Sequence, residues 1–369
     1  MKISRLIVAA IVAMAPISLL AQASQRLSAS KANEYGLIYT LPQTGISVTL
    51  EARKTVKTPG EFYQYSKKYL NIDPIKESSV EWELTNAEIY RRALADDEQQ
   101  FLARFKSGQG VFMMVTPESF PISIGNAKYN PAPLPVSQLK AVSASPTILE
   151  TPVAQQAVTE DMLRAQSSAK RAELAAAKIY EIRQQRNDII SGQADNMPSD
   201  GAAMKIALEN LDLQEQALTA MFIGTTSTST MVKTFYDTPA EDDDEKTRVV
   251  IARISALDGI VDSEDLSGEP IYLDINITRR GELPVNEKGI TKTFPKEGVA
   301  YRIPGAADVA VVYDGHKIVS TTIPVAQYGV VFGLDPSLFT AKKAPAYLNF
   351  DPSTGAIVEL GETVETPAE

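Results

Sequence analysis

Between residues 159 and 222 the chain carries a pattern that only a pair of packed helices can satisfy. Met162, Ala165, Ala169, Ala172, Ala176, Ile179, Arg183, Arg186 and Ile190 recur at alternating spacings of three and four, and so do Met204, Leu208, Leu211, Glu215, Leu218 and Phe222. That alternation places each set on one helical face, and a face so rich in alanine needs a close partner. Thr159, followed by Glu160 and Asp161, supplies a cap and a favourable dipole interaction for the first helix. Gly192 and Pro198 stop one helix and start the next. The spacing predicts helices over residues 159–190 and 199–222, folded back as an antiparallel hairpin whose longer arm spans about 45 Å at 1.5 Å per residue. Arg183 and Arg186 lie on the seam. They could receive an acidic ligand, but an ion pair across the hairpin to Glu209 and its polar neighbours, or a snorkelling stem, accounts for both more simply.

Strand patterns flank this pair. Residues 37–41 and 46–52 read as strands around a turn at 42–45, and Thr58-Pro59-Gly60 ends the second. Phe62, Tyr65 and Tyr69 give residues 61–70 the spacing of a short amphipathic helix. Strands are expected at 80–89, around Trp82, and at 110–116, with Asp96-Asp97-Glu98 between them. Residues 127–158 carry prolines at 131, 133, 135, 146 and 152, a composition for a linker or surface strap and for neither core nor helix. Strands resume at 225–234, 248–254 and 271–278. Asp314-Gly315 marks a hairpin between 309–313 and 317–323, and a last hairpin joins 346–350 to 356–360.

The expected fold class is α+β, with mainly antiparallel β, sandwich-like N- and C-terminal regions and a long antiparallel helical hairpin between them. The expected division is a signal peptide at 1–23, an N-terminal β-rich domain with a short helix at 24–126, a Pro-rich linker at 127–158, the hairpin at 159–223 and a C-terminal β domain at 224–369. Periodicity equally allows the N-terminal strands to pair with the C-terminal ones, which would make linker and hairpin an insertion in one larger β fold.

The first residues predict export. Lys2 and Arg5 precede an apolar run at 6–20, and Ala21-Gln22-Ala23 offers small residues for cleavage after Ala23, or alternatively after Ala21. The run is shorter than the roughly 20 residues of a comfortable membrane span. With no cysteine in the chain there is no lipidation site, disulfide or thiolate. The expected location is the periplasm, with the cell surface or exterior as alternatives, and about 346 residues remain after cleavage to build cores of their own. A net charge of −10 argues against a nucleic-acid partner, because phosphate binding needs clustered Lys and Arg and no such cluster is present. The pairs Lys67-Lys68, Arg91-Arg92, Arg279-Arg280 and Lys342-Lys343 read as solvated surface.

No catalytic, cofactor-binding or metal-ligating residue is assigned. The single histidine, His316, follows the Asp314-Gly315 turn, which rules out sites needing several imidazoles. Ser28 with Lys31 and Ser167 with Lys170 match Ser-x-x-Lys without its companion motifs. The run Glu241-Asp242-Asp243-Asp244-Glu245 could hold a cation but lacks spaced ligands, and reads as a solvated connection, as do Asp262, Glu264 and Asp265. Tyr301, Tyr313, Tyr328 and Phe332 could make a sugar platform, yet their strand spacing suits core.

Five segments carry a resemblance: Tyr39-x-Leu41-Pro42-x-Thr44; Pro59-Gly60-x-Phe62-x-x-Tyr65-x-x-x-Tyr69-Leu70; Ile182-Arg183-x-x-Arg186 through Gly192; Ala217-Leu218-x-x-Met221-Phe222-x-Gly224; and Leu266-Ser267-Gly268-Glu269-Pro270. In this order the chain resembles domain-of-unknown-function family 4831, envelope proteins of Bacteroides-type bacteria. The resemblance implies a secreted, periplasmic protein and carries over no activity, cofactor or catalytic residue. The expected function is a non-catalytic binding or scaffold module that presents its surface to another protein in the envelope, to a glycan, or to a second copy of itself through the hairpin. The alternative is a glycan-binding protein or a carboxylate-dependent glycan hydrolase.

Overall fold

The computed structural model describes residues 36–104, 111–194, 201–340 and 345–362. The export signal, the Ser28–Lys31 pair, Pro198 and Lys342-Lys343 lie outside the described residues. In chain order the elements are β1 (Leu37–Thr58), α1 (Ser66–Tyr69), β2 (Ser79–Ala103), β3 (Met113–Val115), β4 (Pro121–Ile124), α2 (Pro152–Ala157), α3 (Glu160–Arg164), α4 (Ser168–Ser191) and α5 (Gly201–Ile223). There follow β5 (Thr225–Asp237), β6 (Lys246–Ser255), β7 (Gly259–Asp262), β8 (Gly268–Arg279), β9 (Val299–Tyr313), β10 (His316–Leu334), β11 (Ala346–Asp351) and β12 (Ala356–Glu362). Among the described residues the strands form three antiparallel sheets, ordered β2-β1-β5, β10-β9-β8-β6-β7 and β12-β11-β4-β3. The protein is therefore mainly antiparallel β with two long helices. Among the described residues no helix is long and apolar enough to cross a membrane.

The hairpin expected at residues 37–52 does not form. β1 runs unbroken through Pro42, because the register against β2 shifts between Thr40 and Pro42, and pairing with β5 begins only at Ile46. The missing N–H of Pro42 therefore removes no ladder bond on the β5 side. Opposite this shift, residues 96–99 are looped out of β2, since Thr40 faces Gln100 and Pro42 faces Ala95. Asp96-Asp97-Glu98 thus forms a bulge within one strand instead of separating two.

Burial follows the strand period. Ile46, Val48, Leu50 and Ala52 of β1 meet Leu273, Ile275, Val309 and Val311 in one core, while Tyr39, Leu41 and Phe101 join Ile124, Leu348 and Phe350 in another. β1 pairs with β5 without interruption from Ile46–Asp237 to Thr58–Thr225, so N- and C-terminal strands share a sheet as well as a core. Within residues 127–158, Val142 bridges Thr230 of β5 and Ser137 Oγ donates to Glu88 Oε2 at 2.6 Å. Contrary to expectation this stretch does hold a helix: α2 opens on Pro152, whose lost N–H is unbonded at that position anyway, and buries Ala154 and Ala157.

The first long helix is broken as well. Thr159 caps α3 by accepting from the Met162 N–H, as its sequence predicts, but Ser167 then caps a separate α4 by accepting from the Lys170 N–H. The buried face of α4 is Ala172, Ala175, Ala176, Ile179 and Ile182, whereas Ala169, Arg183 and Ile190 are exposed. Ile182 therefore packs inward beside Ile179, while Arg183 turns to the rim, where it meets Glu215 of α5. Gly192, at φ 71°, ends α4 in the left-handed region. Leu218 and Phe222 of α5 close this third core with Phe62, whose ring centroid lies 5.4 Å from that of Phe222.

A candidate ligand recess at the base of the helical pair

The last turns of α4, the middle and end of α5, the start of β5 and residues 145–148 of the strap enclose a recess of about 680 Å³. Each wall has a local cause. Spacing of three residues sets Arg183 and Arg186 on one side of α4, and Asp212 and Glu215 on the facing side of α5. Gly224, at φ 92°, lets the chain turn directly from α5 into β5; a Cβ there would lie 2.3 Å from the Thr58 carbonyl oxygen. On the strap, Thr147 begins a capping box in which the Glu150 carboxylate accepts from the Thr147 N–H at 2.9 Å.

The charged groups in the recess pair with one another. Arg183 Nε donates to Glu215 Oε1 at 2.6 Å. Arg186 Nη1 donates to Asp212 Oδ1 and lies 2.8 Å from Glu215 Oε2. The hydrogen bond to Asp212 raises the Arg186 guanidinium above its ordinary range; burial opposes this and Glu215 adds to it. The ion pair expected across the hairpin is therefore present with different acidic partners, and Glu209 instead sits 3.7 Å from Lys205 on its own helix. The remaining lining is hydroxyl-rich, with Ser145, Thr147, Thr219, Thr225, Thr226, Ser227 and Thr228. Such a lining offers many hydrogen bonds.

The other sequence candidates fall elsewhere. His316 is exposed at the start of β10, and Ser167 is engaged as a helix cap. The acidic run at 241–245 is pinned as a loop: Arg280 donates to the Glu241 and Asp243 carbonyl oxygens, and Asp243 Oδ2 accepts from the Tyr328 hydroxyl at 2.7 Å. Burial and the nearby Asp243 charge raise the Asp237 carboxyl above the usual carboxylate range. Asp265 accepts from Ser267, which holds its carboxyl below that range. Among the described residues no group of three or more His, Asp or Glu side chains could hold a metal ion. Tyr328 and Phe332 are buried, and Tyr301 meets Phe332 edge-on at 6.3 Å, a core arrangement.

One feature escaped the sequence. Arg302, 5% exposed, pairs with Asp96 at 2.9 Å, and its Nε has no partner among the described residues. Burial pulls its guanidinium below the ordinary range against the opposing charges of Asp96 and Glu241. An arginine in an alternating strand carries no signal of such burial.

No curated protein and no solved structure matches the chain. A family model matches residues 35–358, which include every segment that carries the resemblance. The chain thus belongs to the family described as domain of unknown function DUF4831.

Proposed function

We propose that this protein is an exported, periplasmic, non-catalytic binding module, a sandwich-like β body whose helical hairpin carries the interaction element, and that the recess between helices and β5 receives the partner. The observation that carries this reading is the recess itself: about 680 Å³, within the range of ligand sites, with its charges already paired and its walls lined by hydroxyls. Export rests on the N-terminal residues. The test is crosslinking capture from native envelope with the mature full-length chain and with R183E/T219W, which alters the charge and fills the recess. Loss of a captured partner in the variant supports the reading. A partner captured equally by both, or none captured by either, refutes it.

A second reading, the glycan hydrolase, has one observation in its favour. Asp212 and Glu215 both touch Arg186 Nη1, so their carboxylates lie within about 5 Å of each other, near the separation a retaining mechanism uses. Against it, both project from one face of one helix and cannot flank a glycosidic bond, and both are ion-paired acceptors where one must donate a proton. Hydrolysis of an envelope glycan that is abolished by E215Q would establish this second reading.

A further inference from the structure

The recess contains an open sheet edge. β5 is an outer strand of its sheet. Thr230 N donates to Val142 O of the strap at 2.8 Å, so the Thr230 backbone points away from β1. Along a strand, every second residue repeats that direction, and the β1–β5 register has no bulge. The N–H and C=O of Thr226 and Thr228 therefore also point away from β1, into the recess that these residues line. Among the described residues neither strap nor helix bonds to them.

The strap takes the first position of this lane and then leaves it. Continuing the antiparallel bridge between Val142 and Thr230 would set Ala144 against Thr228 and Pro146 against Thr226. Pro146 has no N–H to give to Thr226, and Ser145 and Pro146 instead form the far wall of the recess. Proteins usually blunt an exposed edge with charge, proline or a bulge. The stretch Thr225-Thr226-Ser227-Thr228-Ser229-Thr230 has none of these.

We propose that the recess binds an extended segment of another polypeptide, which adds to β5 as a further antiparallel strand in line with Val142. This rests on the recess being the partner site and goes on to name what it takes. The four main-chain groups of Thr226 and Thr228 supply the ladder bonds, and the neutral Arg183–Glu215–Arg186–Asp212 cluster at one end accepts polar side chains of either sign. Cross-strand pairing with Thr226 and Thr228 selects β-branched or hydroxylated residues opposite them.

The test pans a random heptapeptide phage library against the full chain and measures the enriched peptides, made synthetically, against T226P and T228P. Because neither N–H serves the native ladder, both variants keep the fold, while S227P, which removes a bond to β1, lowers the melting temperature and serves as the contrast. The expected result is enrichment of β-branched or hydroxylated peptides, at least tenfold weaker binding to T226P and T228P, and slowed amide exchange at Thr226 and Thr228 when peptide is bound. No enriched peptide, equal binding to the proline variants, or glycan-array binding lost in those variants would overturn the proposal. If an envelope partner is lost with R183E/T219W yet kept by T226P and T228P, the recess reading stands and the added strand does not.

Discussion

Replacing Asp96 with asparagine tests the energetics of the bulge in β2 directly. Arg302 is 5% exposed, and its partner Asp96 keeps 18% of its side-chain surface. Removing the carboxylate leaves a buried guanidinium whose Nε has no acceptor among the described residues. Breaking a buried pair in this way costs about 3–5 kcal/mol. Glu241 still acts on Arg302 by charge, which places D96N near the low end, about 3 kcal/mol, or roughly a 150-fold fall in the folded-to-unfolded ratio. R302M removes the desolvated charge and leaves a carboxylate that reaches water, so its cost is about 1 kcal/mol, and D96L/R302M lies within about 1 kcal/mol of the parent. Equilibrium urea unfolding at pH 7 measures all three, with unchanged m-values confirming that only stability has moved. The reasoning fails if D96N lies within about 0.5 kcal/mol of the parent, or if R302M proves the more damaging change.

Three further outcomes follow from particular contacts. A Cβ on Gly60 would stand 2.3 Å from the Met221 carbonyl oxygen, so G60A must push β1's exit away from α5; its cost is at least about 2 kcal/mol by denaturant melt, and a neutral G60A would contradict that close approach. Phe222 is fully buried against Phe62, and F222A costs about 3–5 kcal/mol, whereas L213A on the exposed side of α5 costs under about 1 kcal/mol in the same assay. Asp237 has a raised folded-state pKa, so the native state binds the proton more tightly than the unfolded chain; its contribution is present at low pH and is lost as pH rises from the ordinary carboxylate range through the raised value. D237N should remove that fall, and a stability–pH curve in this window identical to the parent's would disprove the assignment.

What could be read in the sequence was set by local chemistry. Asp314 and Gly315 both adopt positive φ, 47° and 71°, as an Asp-Gly hairpin turn demands, and β9 and β10 pair around them. Thr159 caps its helix because a threonine followed by acidic residues can do little else there. Where the reading went astray, a distant partner decided. Pro42 signals a turn only if nothing supplies a bulge, and the bulge comes from residues 96–99, more than 50 positions away. The pairing partner of Arg183 depended on the register of α5, which periodicity leaves free. The recess was the least legible feature, since its threonines look like any β strand until strap and helices close around them. The segments that carry the family resemblance prove in large part architectural. Tyr39 donates to the Ala300 carbonyl at 3.0 Å, Gln327 bonds both the N–H and the C=O of Thr44, and Gly60 and Phe62 seat the end of β1 on α5.

The unbroken run of β1 also governs the order in which the molecule can be assembled. At about 3.3 Å per residue its 22 residues extend roughly 70 Å, and β2 can zip onto it as soon as residue 103 has been made. Its other edge must wait for residues 225–237, which emerge more than 120 positions later. Through that interval a growing chain holds a long two-stranded ribbon with one margin unsatisfied and one apolar face bare, since β6, β8 and β9 that cover the face come later still. Contacts of such sequence separation make for slow folding, and a half-made sheet of this length attracts other strands. The cell that makes this protein must therefore keep the ribbon apart from its neighbours until β5 arrives.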